Sequence, residues 1–256
     1  MQQPTYSPTS WRIYSLSIAD QQQHIERSES LLAEAAPGVP ATLYWSQAER
    51  PGLVLGFSQK PGVLNAEALA AYSLPVYRRK AGGTAVLVGP HLLSLDVLLP
   101  AGHPLILADI VESYRWFGEA WVAALRELGL ETRSVPVAEA HEQRALLKQP
   151  ETAQREVILR RACYGSLSPY EVVAGRGQRK VVGLDMVRRR AGCLLQAGVL
   201  LRRETETLAQ LLGHTPEEQA ILREGLRERA VGLDSLAGRA VSAQEVIAAF
   251  EKVIQT

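Results

Sequence analysis

Two cysteines in 256 residues exclude a disulfide framework. Neither stands in a CxxC pair or a Cys/His cluster of the kind that holds zinc, so no metal is expected. Charge of one sign is lacking too. Lys and Arg number 28 against 27 Asp and Glu, a formal net charge of +1, which excludes a protein that grips nucleic acid by bulk charge. No apolar run approaches the ~20 residues of a membrane span, and the opening MQQPTYSPTSWRIYS has no basic start followed by an apolar core. These absences predict a cytoplasmic protein in a reducing compartment, with neither nucleic acid nor membrane as partner.

What is present is 46% apolar and 21% charged, the balance of an ordinary globule with enough chain for a sizeable core. Residues 1–10 are polar with two prolines and read as a flexible lead-in; residues 11–256 read as a single domain. Alternation predicts a strand over 11–18, and Asp20 caps a helix after it. Short β-rich runs at 41–45 and 53–57, split by Glu49-Arg50-Pro51-Gly52, predict a hairpin. Residues 85–88 and 92–99 predict a second strand, turn, strand unit.

Between 109 and 130, Ile110, Tyr114, Phe117, Trp121, Leu125 and Leu128 form a helical stripe that Gly129 ends. A polar stretch at 138–152 reads as exposed. Strands are expected at 157–162, 170–173, 180–187 and 193–201, and helices at 208–212, 217–229 and 242–254, the last opened by the capping box Ser242…Glu245. Two groups of strands around one long helix predict an α+β fold, with mixed, mainly antiparallel sheets flanked by helices.

The chemistry concentrates in residues 160–201, which hold both cysteines. Cys163 precedes Tyr164-Gly165-Ser166-Leu167-Ser168-Pro169, a segment that must loop, so its thiol can face a cleft. Cationic neighbours favour the thiolate, the form that attacks. Local context alone leaves Cys163 open between nucleophile and packing residue, whereas Cys193, between Gly192 and Leu194, reads as core filler. Lys180, ahead of Gly183 on a predicted strand, can donate to an acyl carbonyl or lower a nearby thiol's pKa; alone it reads equally as a solvated lysine. Arg78-Arg79-Lys80-Ala81-Gly82-Gly83-Thr84 sets three cations before a glycine pair, an arrangement suited to an anion or a developing oxyanion, and by itself also a plain hairpin turn. It is neither GxxxxGK[ST] nor GxGxxG. Arg188-Arg189-Arg190 is at most a docking surface for an acidic protein. The five histidines make no triad.

Three segments in this order resemble the family of lipoate protein ligases and octanoyltransferases, related in turn to the biotin protein ligases. Gly56-Phe57-Ser58-Gln59 is similar to the family's GxxQ, Arg78 to Gly83 to its RRx[ST]GG loop, and Lys180-Val181-Val182-Gly183 to its KxxG. Cys163 followed by Ser168-Pro169-Tyr170-Glu171 and then Lys180 resembles the branch that transfers octanoyl groups through a cysteine. Three positions depart from the family: Leu87-Val88-Gly89 stands for aromatic-His-Asp, Leu184-Asp185-Met186 for a small residue and Gln, and Ala197-Gly198 for His-Gly.

The resemblance implies a biotin/lipoate protein ligase-like fold with Cys163 and Lys180 as catalytic residues. It implies substrate contacts from Gln59, Arg78, Arg79, Gly82, Gly83, Thr84 and Gly183. The implied reaction is octanoyl or lipoyl transfer from acyl carrier protein, through a Cys163 thioester, to the lysine of a lipoyl carrier domain such as the glycine cleavage H protein or a dehydrogenase E2 subunit. That reaction needs no cofactor. One alternative is an ATP-dependent lipoate protein ligase, which would need ATP and Mg; another is a non-catalytic acyl-binding or scaffold subunit.

Overall fold

A computed structural model describes residues 11–175 and 178–255. The expected lead-in at 1–10 lies outside the described residues.

Seven strands form the main sheet in the order β1 (Trp11–Ala19), β2 (Ala41–Ala48), β6 (Leu92–Pro100), β10 (Gly192–Leu200), β9 (Arg179–Arg188), β8 (Val172–Ala174) and β7 (Thr132–Ser134). A small sheet carries β4 (Val76–Arg78), β3 (Gly52–Leu55) and β5 (Val86–Val88). The pairs β1–β2 and β3–β4 are parallel and the remaining pairings antiparallel. The expected mixed, mainly antiparallel α+β architecture is therefore what the chain adopts.

Strand alternation explains why the main sheet has two different faces. In β2 and β6 the odd positions Leu43, Trp45, Leu93, Leu95 and Val97 are fully buried. They meet α3 (Arg115–Glu127) and α9 (Ala243–Ile254), whose Phe117, Trp121 and Phe250 complete an aromatic core. Trp121 and Phe250 lie 4.4 Å apart between centroids, and Trp45 meets Phe250 edge-on at 5.6 Å. Each such ring adds roughly 0.5–1.5 kcal/mol to its area burial. The Ser242–Glu245 capping box is present and fixes the start of α9.

On the opposite face the even positions are smaller or polar: Tyr44, Ser46, Ser94 and Asp96. Helix α1 (Gln21–Ala33), capped by Asp20, covers that face without filling it.

Several sequence expectations fail in instructive ways. The runs at 41–45 and 53–57 are strands, but β2 joins the main sheet and β3 the small one, so they form no hairpin. The pair at 85–88 and 92–99 divides the same way. Pro51 and Gly52 turn the chain as expected; what no turn signal carries is the sheet the next strand joins. Residues 138–152 are largely exposed, as expected, and carry α4 (Val137–Ala145) and the start of α5 (Pro150–Leu159). The Val157-Ile158-Leu159 run, read as a strand, closes α5, where Pro150 at the first turn and packing against α7 (Pro216–Arg229) outweigh β-propensity. The long helix begins at Arg115, after a 3-10 turn at Glu112–Tyr114.

Candidate active site

A cavity of about 660 Å³ lies between the even face of the main sheet, α1, and the loop that carries the glycine pair. Cys163, Lys180 and Gly183 line it together with Arg79, Gly83 and Thr84. Six of the nine residues assigned from sequence thus meet around one space. The other three, Gln59, Arg78 and Gly82, are not among its lining residues and support it from behind.

Gly56 shows why the GxxQ pattern starts with glycine. A Cβ there would stand 2.0 Å from the Gly83 carbonyl oxygen, so only a bare backbone lets the end of β3 touch the glycine loop. Gln59 Nε2 donates to the Arg161 carbonyl at 2.9 Å, bracing the chain just before the cysteine. Arg78 Nη1 donates to the carbonyls of Gly56, Phe57 and Gln59 at 3.1, 3.0 and 2.8 Å. Arg78 is therefore a clamp on the GxxQ turn. The main chain completes the join: Ala85 N donates to Arg161 O at 3.1 Å, and Cys163 N donates to Ala85 O at 2.9 Å.

Gly83 has φ +78°, a left-handed conformation that glycine adopts without strain. Among the described residues the amides of Gly83 and Thr84 find no hydrogen-bond acceptor, which leaves two donors at the cavity wall. Arg79 holds the loop shape by donating from Nε to Gly82 O at 3.1 Å and from Nη2 to Thr84 O at 3.3 Å. Its Nε also lies 3.3 Å from Asp185 Oδ2, a buried oxygen without a hydrogen bond.

Cys163 opens a single 3-10 turn, Cys163–Gly165, rather than ending a strand. A Cβ on Gly183 would sit 3.6 Å from its Sγ and equally far from Glu171 Oε1, so the missing side chain leaves the thiol room above β9. Sequence reasoning expected flanking cations to ionise this thiol. Instead burial pushes it up, with Lys180 opposing and Glu171 adding to the rise. Arg161 is spent elsewhere, paired with Glu218 and bound to Leu212 O.

Lys180 is 1% exposed and its partner Glu171 2%. The ammonium donates to both Glu171 oxygens at 2.9 Å and to the Cys163 carbonyl at 2.6 Å. Burial raises the Glu171 carboxyl and Lys180 opposes that rise. Tyr164 packs against the ammonium, 5.3 Å from ring centroid to Nζ, and donates its hydroxyl to Gly198 O at 2.6 Å. The role of Glu171 as the lysine's counter-ion was missed in the sequence, although the Tyr-Glu pair was noted as a motif. Nothing in a linear reading shows that the fold brings Glu171, just ahead of β8, against Lys180 on β9. Cys193, by contrast, is the expected core residue, 1% exposed with its thiol pushed to about 11 by burial.

A second polar cluster lines the same cavity at its far end and was not anticipated. Asp96, 4% exposed, accepts from Gln196 Nε2 at 2.8 Å and from Ser28 Oγ. His24 Nδ1 and Tyr44 Oη lie 2.8 Å apart beside it. Burial lifts the Asp96 carboxyl to about 6.

The chain is 30% identical over 246 residues to octanoyltransferase LipM of an Exiguobacterium species, covering 95% of this chain and 84% of that one. It is 33% identical over 218 residues to octanoyltransferase LipM of Kyrpidia tusciae, covering 84% and 75%. Among solved structures it resembles the bipartite lipoate protein ligase of Thermoplasma acidophilum, with TM-score 0.73 and 17% identity over 95% of this chain and 81% of that one. It also resembles lipoate-protein ligase A bound with ATP, with TM-score 0.70 and 18% identity over 96% and 84%. Those two likenesses establish the fold. Residues 20–255 match the lipoyl protein ligase A/B catalytic domain, and the chain belongs to that family.

Proposed function

We propose that the protein is an acyltransferase that moves an octanoyl group from acyl carrier protein to the lysine of a lipoyl carrier domain, through a thioester on Cys163. The observation that carries this reading is the placement of the Cys163 thiol. It lines the cavity between Gly183 and the glycine loop, and Lys180 holds the carbonyl of the same residue. The octanoyltransferase names of the relatives support it.

The chemistry balances without a cofactor. Cys163 Sγ bonds to the thioester carbon, and the free Gly83 and Thr84 amides lie on the wall where the oxyanion would need donors, each worth on the order of 3 kcal/mol. The carrier thiolate leaves and takes the proton that the Cys163 thiol gives up. A neutral lysine ε-amine of the acceptor domain then attacks the enzyme thioester, forms the amide, and returns a proton to Cys163. The Lys180–Glu171 pair holds the Cys163 backbone in place while keeping the buried site neutral overall.

The ATP-dependent ligase alternative fits this site less well. The Asp185 carboxylate lies against the glycine loop, 3.6 Å from where a Gly83 Cβ would stand, and its charge repels a phosphate there. Asp185 also uses the Arg79 charge that a phosphate would need.

Incubation with octanoyl acyl carrier protein in the absence of ATP, read by intact mass, tests the reading. The expected result is one octanoyl adduct in the wild type and none in Cys163→Ala. An adduct that persists in Cys163→Ala, or none in the wild type, would overturn it.

A further inference from the structure

The second half of the proposed reaction leaves one proton unassigned. The acceptor lysine arrives as an ammonium, since its pKa is about 10.4, and an ammonium has no lone pair with which to attack. A group in the cavity must hold that charge and take a proton from it.

Most of the candidates that line the cavity are already engaged. Glu171 is paired with Lys180 and Glu29 with Lys80. Both ring nitrogens of His24 have partners, Tyr44 Oη and the Gln47 carbonyl, and each Asp96 oxygen has a donor. Asp185 differs. Its Oδ1 accepts from Met186 N at 2.8 Å, while Oδ2 has no hydrogen bond and only the Arg79 guanidinium nearby, at 3.3 Å. Arg79 aims its own N–H groups at Gly82 O and Thr84 O. The Asp185 side chain keeps 19% of its surface exposed, so a ligand reaches it.

Position fits the task as well. Asp185 and Gly183 are two residues apart on β9 and share the cavity face, so their side-chain positions lie about 7 Å apart. The Gly183 position is the one 3.6 Å from Cys163 Sγ. An amine about 3 Å from a thioester carbon on that sulfur, with a hydrogen bond of about 2.8 Å beyond it, spans such a gap. The titratable groups that feel Asp185 are Arg79 on the glycine loop, Cys163 on its 3-10 turn and Tyr114 ahead of α3. Burial raises the Asp185 carboxyl against the pull of Arg79. The same burial disfavours a lysine ammonium, so the two groups approach one another in proton affinity.

We propose that Asp185 receives the ε-ammonium of the acceptor lysine and, as general base, removes the proton that keeps it from attacking the Cys163 thioester. The proposal rests on the transferase reading of the site. One N–H proton passes to Asp185, the freed lone pair forms the N–C bond and the C–S bond breaks. A second N–H proton goes to the Cys163 thiolate, and Asp185 releases its proton to solvent.

Loading the enzyme from octanoyl acyl carrier protein, then discharging it with an apo lipoyl domain of a dehydrogenase E2 subunit or with hydroxylamine, separates the steps. Hydroxylamine is already a neutral nucleophile at pH 7.5. Asp185→Asn is expected to slow discharge to the lipoyl domain about 100-fold or more at that pH. The deficit should shrink as the pH approaches 10 and lysine loses its proton unaided, and discharge by hydroxylamine should fall far less. Asp185→Glu, which keeps a carboxylate, should recover part of the loss. A deficit equal at every pH or equal for hydroxylamine, discharge at the wild-type rate, or a wild-type acyl enzyme that the lipoyl domain leaves intact would overturn the proposal. In each of those cases the octanoyl adduct on Cys163 still forms and the thioester step stands. No adduct in the wild type removes the transferase reading, and this proposal with it.

Discussion

The two ends of the cavity bury charge in opposite ways. At the reacting end Lys180 and Glu171 are as hidden as any core leucine, and each neutralises the other. At the far end Asp96 is nearly as buried, yet its partners are neutral, and its carboxyl is lifted to about 6. Burial is therefore shared, and the partner decides what it does. A paired charge becomes a fixed dipole; a carboxyl among neutral donors keeps a demand for protons.

Breaking the pair should give the largest effect. Lys180→Met leaves an uncompensated buried carboxylate and is expected to cost about 3–5 kcal/mol in urea unfolding. The double variant Lys180→Met/Glu171→Gln should recover most of that loss, because no charge is left stranded. A double variant as unstable as the single would mean that the pair's attraction, and not the stranded charge, dominates.

The far end should show itself through pH. The folded Asp96 carboxyl keeps its proton to about 6 whereas the unfolded chain releases it near 3.8. Between those values the native state holds more protons, so its contribution to stability is full below about pH 4 and declines as pH rises toward 6. The decline is on the order of 3 kcal/mol. Asp96→Asn should flatten it, as read from urea midpoints at several pH values. An unchanged slope in that variant would assign the titration to another group.

The smallest effect is expected at the second cysteine. Cys193→Ala removes a packed sulfur far from any charge pair, should cost roughly 1 kcal/mol, and should leave acyl-adduct formation at Cys163 unchanged. A loss of adduct would show that the two thiols are coupled.

Much of the reacting end was legible in the sequence because its requirements are local. Gly56 and Gly83 are glycines for reasons of close approach or left-handed backbone, and such reasons leave fixed spacings. Cys163 and Lys180 were found through those spacings. The far end was not legible, because Ser28, Asp96 and Gln196 are scattered through the chain and meet only when α1 lies across β6 and β10. Arg78 and Arg79 looked equivalent in sequence. The fold separates them, turning Arg78 onto three carbonyls behind the site and Arg79 onto its wall. The same limit explains the strand errors: β2 and β3 have convincing β-rich sequences, and the sheet each joins is set by partners distant in the chain.

The join at Ala85 bears on how this chain tolerates change. The glycine loop and the cysteine turn are laced through Ala85 and Arg161 by amides and carbonyls, groups that every residue except proline carries in full. Side chains along both segments are therefore free to drift while the spacing between Gly83 and Cys163 survives. Leu87-Val88-Gly89, where the resemblance implies an aromatic residue, His and Asp, follows that logic, since β5 forms there with Leu87 and Val88 in it. This join therefore constrains register and length, and the identity of its residues is left open for the acyl cavity to shape.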